Sequence, residues 1–315
     1  MIAVLAGGVG AARLLRGVLA VHPPGDVTAV VNTADDVVLH GLHVSPDLDT
    51  VTYTLAGAIN PETGWGLVGE TWHAMEALGR YGGITWFNLG DRDLATHLYR
   101  TQRLSEGAPL STVTAEIARA WDLGLRVLPV TDDRLRTMVT VPVDEGEGPE
   151  GDVVEIGFQE YFVQRRHDVA VRSVRFDGDD DARPGPGVLD ALADADRLVI
   201  APSNPIVSIG PLLAVPGIRD AVAARRADTV AVSPIVAGAA LKGPADRLLR
   251  ELGHEASVVG VARLYRDLAA TLVVDTADAD LAPAVEAEGV RCVVAPTIMS
   301  GPDEAAALGR TVLDA

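Results

Sequence analysis

Cysteine and lysine are the scarcest chemistries in this chain: its 315 residues carry one of each, Cys292 and Lys242. A lone cysteine excludes an internal disulfide, and its setting in "VRCVVAP" reads as a buried strand, so redox chemistry at sulfur falls away. No apolar run reaches the length that spans a bilayer, and the first residues enter a strand without a basic region or a small-residue cleavage site; the cytoplasm is the expected location. Positive charge is in short supply, since 26 Lys and Arg against 44 Asp and Glu leave a formal charge of −18. That balance repels nucleic acid and anionic membrane, and neither is expected as a partner. An anionic ligand must then be held by backbone N–H groups, a few arginines or a metal. What remains, 48% hydrophobic and 22% charged, suits a globular protein with one large core or two modest ones.

The runs "IAVL" (2–5), "VTAVV" (27–31), "RVLPV" (126–130), "RLVIAPS" (197–203), "TVAVSP" (229–234), "TLVVD" (271–275) and "VRCVVAP" (290–296) read as strands. Helical stretches between the later ones, Asp220 to Arg226, Ala245 to Leu252 and Leu281 to Glu288, give the rhythm of a parallel α/β sheet. The expected fold is a Rossmann-like parallel sheet with a helical segment over 50–123 and a small antiparallel β insertion. In that reading residues 1–136 and 187–315 form the nucleotide-binding core. Residues 137–186 form the insertion, with "TMVTVPV", "VVEIGFQEYFVQR" and "AVRSVRF" as strands around the acidic loop "DEGEGPEGD". A second acidic loop, "DGDDDARPGPG", leads back to the sheet.

The first strand runs through "AGGVGAARLL" into a helix, which aims free N–H groups and a helix dipole at one point, an arrangement suited to phosphate. The dinucleotide fingerprint would need a third glycine where Arg13 stands, and the triphosphate loop would need Gly-Lys-Ser/Thr, so the loop names neither ligand. A tight strand-to-helix turn asks for the same glycines. Asp35 and Asp36 of "NTADD" and Asp47 and Asp49 of "SPDLDT" lie within fifteen residues of one another. They suit a divalent cation bound jointly with substrate phosphate, or, for Asp47 and Asp49, the start of a helix. In "WFNLGDRDLATH", Trp86 offers a face for a planar ligand and Arg92, between Asp91 and Asp93, could hold a phosphoryl oxygen; an Asp there is also a common helix cap. Ser203, Asn204 and Pro205 follow a strand with a hydroxyl, an amide and a rigid turn. His40 and His43 of "HGLH" have the spacing of a metal pair but no third ligand, and no Ser-His-Asp or Cys-His set can be assembled.

Together, "LAGGVGAARLL", "VVNTADD", "SPDLDT", "LGDRDLATH", "APSNPIVSIGP" and "SPIVAG" resemble the CofD family of 2-phospho-L-lactate transferases of coenzyme F420 biosynthesis, over almost the whole chain. "TGWGLVGETWHAM" looks like its actinobacterial branch. The resemblance implies an enzyme that joins the deazaflavin alcohol Fo to the phospho-enolpyruvyl or phospho-lactyl group of a guanosine diphosphate ester, releasing GMP. It implies Mg²⁺ as cofactor and a homodimer. Carried over residue by residue, it puts guanylate at Gly7, Gly8, Val9 and Gly10, closed by Ser203, Asn204 and Pro205. Fo would meet Asp49, Asn88, Trp86 and Asp91. Asp49 and Arg92 become the catalytic candidates, and Asp36 and Asp47 the metal ligands. The loop reads Val9-Gly10-Ala11 where relatives often have Thr-Gly-Thr, which leaves phosphate to backbone N–H groups. The rival readings are a non-catalytic nucleotide-sugar regulator of the related gluconeogenesis-factor fold, which would not need the aromatic and acidic acceptor side, and a nicotinamide oxidoreductase.

Overall fold

Every residue of Ile2–Ala6, Val27–Val31, Thr229–Val232 and Thr271–Val274 is buried, on both alternating faces of the strand. Only a sheet covered on both sides accepts such runs, and all-parallel sheets are the ones so covered. The computed structural model describes residues 1–143 and 151–315, so most of the acidic loop read at 144–152 lies outside the described residues. In chain order the strands are β1 (Ile2–Ala6), β2 (Val27–Val31), β3 (Val37–Leu39), β4 (Leu42–Val44), β5 (Arg126–Pro129), β6 (Arg136–Pro142) and β7 (Val153–Gly157). They continue as β8 (Ser173–Asp177), β9 (Arg197–Ile200), β10 (Thr229–Val232), β11 (Ile235–Val236), β12 (Ala239–Ala240), β13 (Thr271–Val274) and β14 (Arg291–Val294). The helices around the site are α1 (Gly8–Leu19), α2 (Pro46–Leu55), α3 (His73–Arg80), α4 (Asp93–Ser105) and α5 (Leu110–Ala120).

A seven-stranded parallel sheet runs β14-β13-β10-β9-β1-β2-β5. From β1 the chain moves outward through β2 to β5, then returns to β9 on the other flank and moves away to β14. The order therefore reverses between β1 and β9, and open α/β sheets bind ligands in the crevice beyond such a switch point. All seven strands expected of the parallel sheet are present. One core cluster takes Ala3, Leu5, Val30, Leu198 and Ile200; the other takes Ile2, Val4, Val27, Ala29 and Val31, so the pleat sends alternate residues to opposite layers. On the second layer α1 buries Ala11, Leu14, Leu15 and Val18, a helical stripe. Each of its two fully buried leucines contributes about 1.5–3 kcal/mol.

The insertion is a three-stranded antiparallel sheet, β7-β6-β8. The expected strand "VVEIGFQEYFVQR" stops at Gly157, and Glu160–Gln164 coil into a wide helical turn. The reason is a change of period: Phe158, Tyr161 and Phe162 recur at helical rather than alternating spacing, and the rings of Phe158 and Phe162 stack at 5.5 Å. Within 50–123 the helices α3 to α5 form as expected, but glycine-rich connections precede α3 and α4, and these face the site. The "HGLH" histidines stand on an unforeseen β3–β4 hairpin, with His40 and Gly41 both at positive φ as a tight hairpin turn requires. No single helix among the described residues is long and apolar enough to cross a membrane. A bent pair, Pro205–Ala214 and Ile218–Ala224, reaches that length only across a 97° break, and its Ile209, Leu212, Ile218 and Val222 are buried in the core.

α1 also meets the C-terminal helix Pro302–Asp314, where two glycines face each other. A Cβ on Gly17 would lie 2.0 Å from the Ala305 carbonyl oxygen, and one on Gly309 would lie 2.7 Å from Gly17 itself. No side chain fits between backbones that close. Gly17→Val should therefore destabilise the protein by about 1–3 kcal/mol or more, an effect to be read as a lower urea midpoint.

Candidate active site

The carboxyl ends of β1, β2, β9 and β10 open into one cavity of about 890 Å³. Gly7, Gly8, Val9 and Gly10 form one wall, with Ser203 and Asn204 beside them, as the sequence suggested. Gly7 is the N-cap of α1 and has no side chain to cap it, so the N–H groups of the first turn have no intrahelical partner. The Ser203 hydroxyl donates to the Gly7 carbonyl at 2.7 Å and accepts from the Gly7 N–H at 3.3 Å, fixing that peptide. Gly8 holds φ +69, which favours glycine. Gly10 is required for a different reason: a Cβ there would lie 2.3 Å from the Pro202 carbonyl oxygen, so its bareness lets α1 pack on the loop after β9. The Asn204 side-chain oxygen accepts from the N–H of Ile206 at 2.9 Å and of Val207 at 3.4 Å, which caps the next turn and leaves its amide NH₂ for other partners. Pro205 begins that turn, is buried, and does not reach the cavity.

Opposite the glycine wall stands the first turn of α2. Asp47 and Asp49 both line the cavity and both are buried, but they face different neighbours. Asp47 accepts from Asn32 Nδ2 at 3.0 Å and lies against Gly7 and Gly8. Burial pushes its carboxyl up to about 6, against the opposing pull of hydrogen bonds from Asn32 and the Gly8 N–H. Asp35, also on the cavity wall, is raised well above the ordinary carboxylate range by burial and then by the charge of Asp47, and its Oδ1 is buried without a partner. Asp36 was the expected metal ligand, yet its side chain turns away from the cavity and Oδ2 accepts from the Ser45 hydroxyl at 2.6 Å. On the cavity wall it is Asp35 that stands with Asp47. Among the described residues no group of three or more His, Cys, Asp or Glu converges as a metal site.

Asp49 faces α4. Both of its oxygens accept from Arg100, Oδ2 from Nη1 at 3.1 Å and Oδ1 from Nη2 in a still shorter contact. Arg100 is 2% exposed, so this is a fully buried bidentate ion pair. The desolvation that would lower the Arg100 guanidinium is outweighed by Asp49, and its affinity for its proton rises. His97 lies between two carboxylates, with Nδ1 3.7 Å from Asp49 and Nε2 3.4 Å from Asp93. Tyr53 donates its hydroxyl to Asp93 at 2.5 Å, and burial followed by the charges of Asp49 and Asp93 keeps that phenol protonated far beyond its usual range. Burial works to raise Asp93, but the hydrogen bond and charge of His97, with Tyr53, hold it below the ordinary value. Arg100, Tyr53 and this network were not foreseen. The signal was present: Asp93, Thr96, His97 and Arg100 recur at the spacing of a buried helical face, yet all four are polar.

Trp86, Phe87 and Asn88 line the cavity, as does Trp65. Asp91 and Arg92 do not. The Asp91 carboxylate accepts from the Thr71 hydroxyl at 2.6 Å and from the N–H groups of His73 and Ala74 at 3.0 Å, capping α3. Glu70 returns the favour at α4, accepting from the N–H of Arg92 at 2.8 Å and of Asp93 at 2.9 Å. The Arg92 guanidinium donates to the Val68 carbonyl at 2.6 Å. The ligand roles expected of these two residues give way to a clamp that joins 68–74 to 90–93. Phe158, Gln159, Phe162 and Val163 bring the insertion into the same cavity.

A single family profile, 2-phospho-L-lactate transferase CofD, matches residues 2–298. The chain belongs to the CofD family. It is therefore a member of a transferase family, and it is 48% identical over 315 residues to the phosphoenolpyruvate transferase of Streptomyces griseus, covering 99% of this chain and 97% of that one. The phosphoenolpyruvate transferase of Mycolicibacterium smegmatis is 43% identical, with 99% and 98% covered. Among solved structures, two of a Bacillus halodurans protein share the fold at 17% and 18% identity, with TM-scores of 0.62 and 0.60; one is described as a member of the UPF0052 family. They cover 99% of this chain and 98% or 99% of theirs.

Two substitutions test this electrostatic arrangement. Arg100→Met strands Asp49 and should cost about 3–5 kcal/mol in chemical denaturation, while adding Asp49→Asn should return part of that loss. Asp47 tests the other carboxylate. Between its ordinary 3.8 and about 6 the folded state holds a proton that the unfolded state has released, so stability falls over that window and stays lost above it. In buffer free of divalent cations, Asp47→Asn should melt higher than the parent at pH 7, and the gain should vanish near pH 4.

Proposed function

We propose that the protein transfers a phospho-enolpyruvyl or phospho-lactyl group from a guanosine diphosphate ester to Fo, releasing GMP, as a step of coenzyme F420 biosynthesis. One observation carries the reading: the first turn of α2 straddles the cavity, with Asp47 turned to the glycine loop and Asp49 turned to α4. A single helix start thus serves a phosphate side and an acceptor side. The names borne by the Streptomyces and Mycolicibacterium relatives favour the enolpyruvyl donor.

In this reading the donor's diphosphate lies at the open end of α1, against the N–H groups of Val9 and Gly10, with its nucleoside toward Ser203 and Asn204. Fo lies along Trp86, Trp65 and Asn88. Its ribityl hydroxyl attacks one phosphorus in line; a new P–O bond forms, the anhydride bond breaks, GMP leaves with the electron pair, and the hydroxyl proton ends on the departing GMP phosphate or in solvent. Asp49 orients that hydroxyl. Arg100 occupies one side of each of its oxygens, and the remaining lone pairs point where an acceptor can donate. Asp35 and Asp47, two desolvated carboxylates of which Asp35 is raised further by the charge of Asp47, fit a divalent cation such as Mg²⁺, with Asp36 outside the cavity. The ion would supply charge neutralisation at the phosphates. The protein's own contribution is position: the buried pair fixes Asp49, and the Ser203 hydrogen bonds fix the loop.

Incubation of the purified protein with Fo, Mg²⁺ and each donor, followed by product mass, tests the reaction. Dehydro-F420-0 is the product expected from the enolpyruvyl donor. Asp49→Asn should lower turnover at least a hundredfold, about 2.7 kcal/mol, with GDP affinity retained. Its melting temperature should fall as well, because Arg100 loses its partner. Normal turnover in that variant would remove Asp49 from the reaction.

A further inference from the structure

The chain's single lysine lies on the cavity wall and pairs with no described residue. Lys242 follows β12 and precedes the helix Ala245–Glu251. Its ammonium has neither a hydrogen bond nor an ion pair with any described residue, in a protein of 44 acidic side chains. Its Nζ sits over Gly64: a Cβ built there would lie 3.1 Å from the nitrogen. Gly64 belongs to the connection between α2 and α3, which hangs from the β2 side of the sheet, whereas Lys242 hangs from the β10 side. β9 and β1 lie between those two strands. Lys242 therefore reaches across the mouth of the cavity, above the strand ends that carry Ser203 and the glycine loop.

The cavity has four carboxylates on its wall, Asp35, Asp47, Asp49 and Asp93, and apart from His97 two cationic side chains, Arg13 and Lys242. Arg13 stands on the second turn of α1, and a helical side chain leans toward its N-terminus, so it belongs to the glycine-loop end; Nη1 already donates to the Met299 carbonyl at 3.4 Å. The donor proposed above brings three anionic groups. Its two phosphates meet α1, Arg13 and a cation at Asp35 and Asp47. The third, a carboxylate, is left for the far side of the cavity.

Resting on that reading of the function, we infer that Lys242 recognises the carboxylate of the transferred group. An ammonium is a compact charge with three rotatable donors, so it serves a planar enolpyruvyl or a tetrahedral lactyl carbon alike. The residue selects for an acid without selecting between those two acids.

Titration calorimetry with three ligands tests this: GDP, its lactyl ester and its ethyl ester, the last lacking only the carboxylate. The parent should bind the lactyl ester about ten- to a hundredfold tighter than the ethyl ester, the range of one charge-assisted hydrogen bond. Lys242→Met should bind the two esters equally, with GDP affinity unchanged, and Lys242→Arg should keep most of the preference. The side chain is exposed, so the substitutions leave the core untouched. A preference that survives in Lys242→Met overturns the inference, as does an equal loss for GDP and the ethyl ester, which would place the lysine on phosphate. GDP binding in the parent with no preference between the esters removes this role and leaves the proposed nucleotide site. A parent that binds none of the three removes both.

Discussion

Four carboxylates face one cavity in a protein that already carries 18 excess negative charges, and holding them there organises the surrounding structure. Each is compensated differently. Asp49 has a buried guanidinium, Asp93 has a phenol and an imidazole, and Asp47 has an amide and a backbone N–H. Asp35 has the least, with one oxygen buried and unpartnered. The gradient runs from full neutralisation at α4 to open deficit at the glycine loop. In the proposed reaction a cation and the phosphates would take the deficit, and a neutral alcohol the neutralised end.

The switch point of the sheet explains why these groups meet. β1 and β9 are neighbours in space and 196 positions separate the loops that leave them, as the Gly7–Ser203 hydrogen bond records. The helical segment and the insertion are both hung so that they return to this crevice, the first bringing Trp65, Trp86 and Asn88, the second Phe158 and Phe162. Function is distributed over connections while the strands supply only direction.

Local signals in the sequence were enough for the sheet, because buried parallel strands read as short apolar runs whatever their neighbours. They were also enough for the glycine wall, which follows a strand end directly, and for Asp47 and Asp49, which stand at a helix start. The choice between Asp35 and Asp36 was not legible, since adjacent residues leave the backbone in different directions and only the loop's path decides which one reaches the cavity. Asp91 and Arg92 looked like ligand groups because capping and phosphate binding use the same atoms; the deciding partners, Thr71 and Val68, lie about 20 residues upstream. Arg100 is the instructive omission. A polar helical stripe was visible, but its partner Asp49 is 51 residues away and nothing local joins them.

The glycine crossing between α1 and Pro302–Asp314 gives the order of synthesis a physical consequence. α1 is made before its packing partner, which follows nearly 300 residues later. At a translation rate of roughly 5–20 residues per second, the Gly17 face of α1 waits on the order of 15 to 60 seconds for its cover. The helix that presents the glycine loop is thus left in the growing chain with one side bare. Its final packing waits on residues far along the chain.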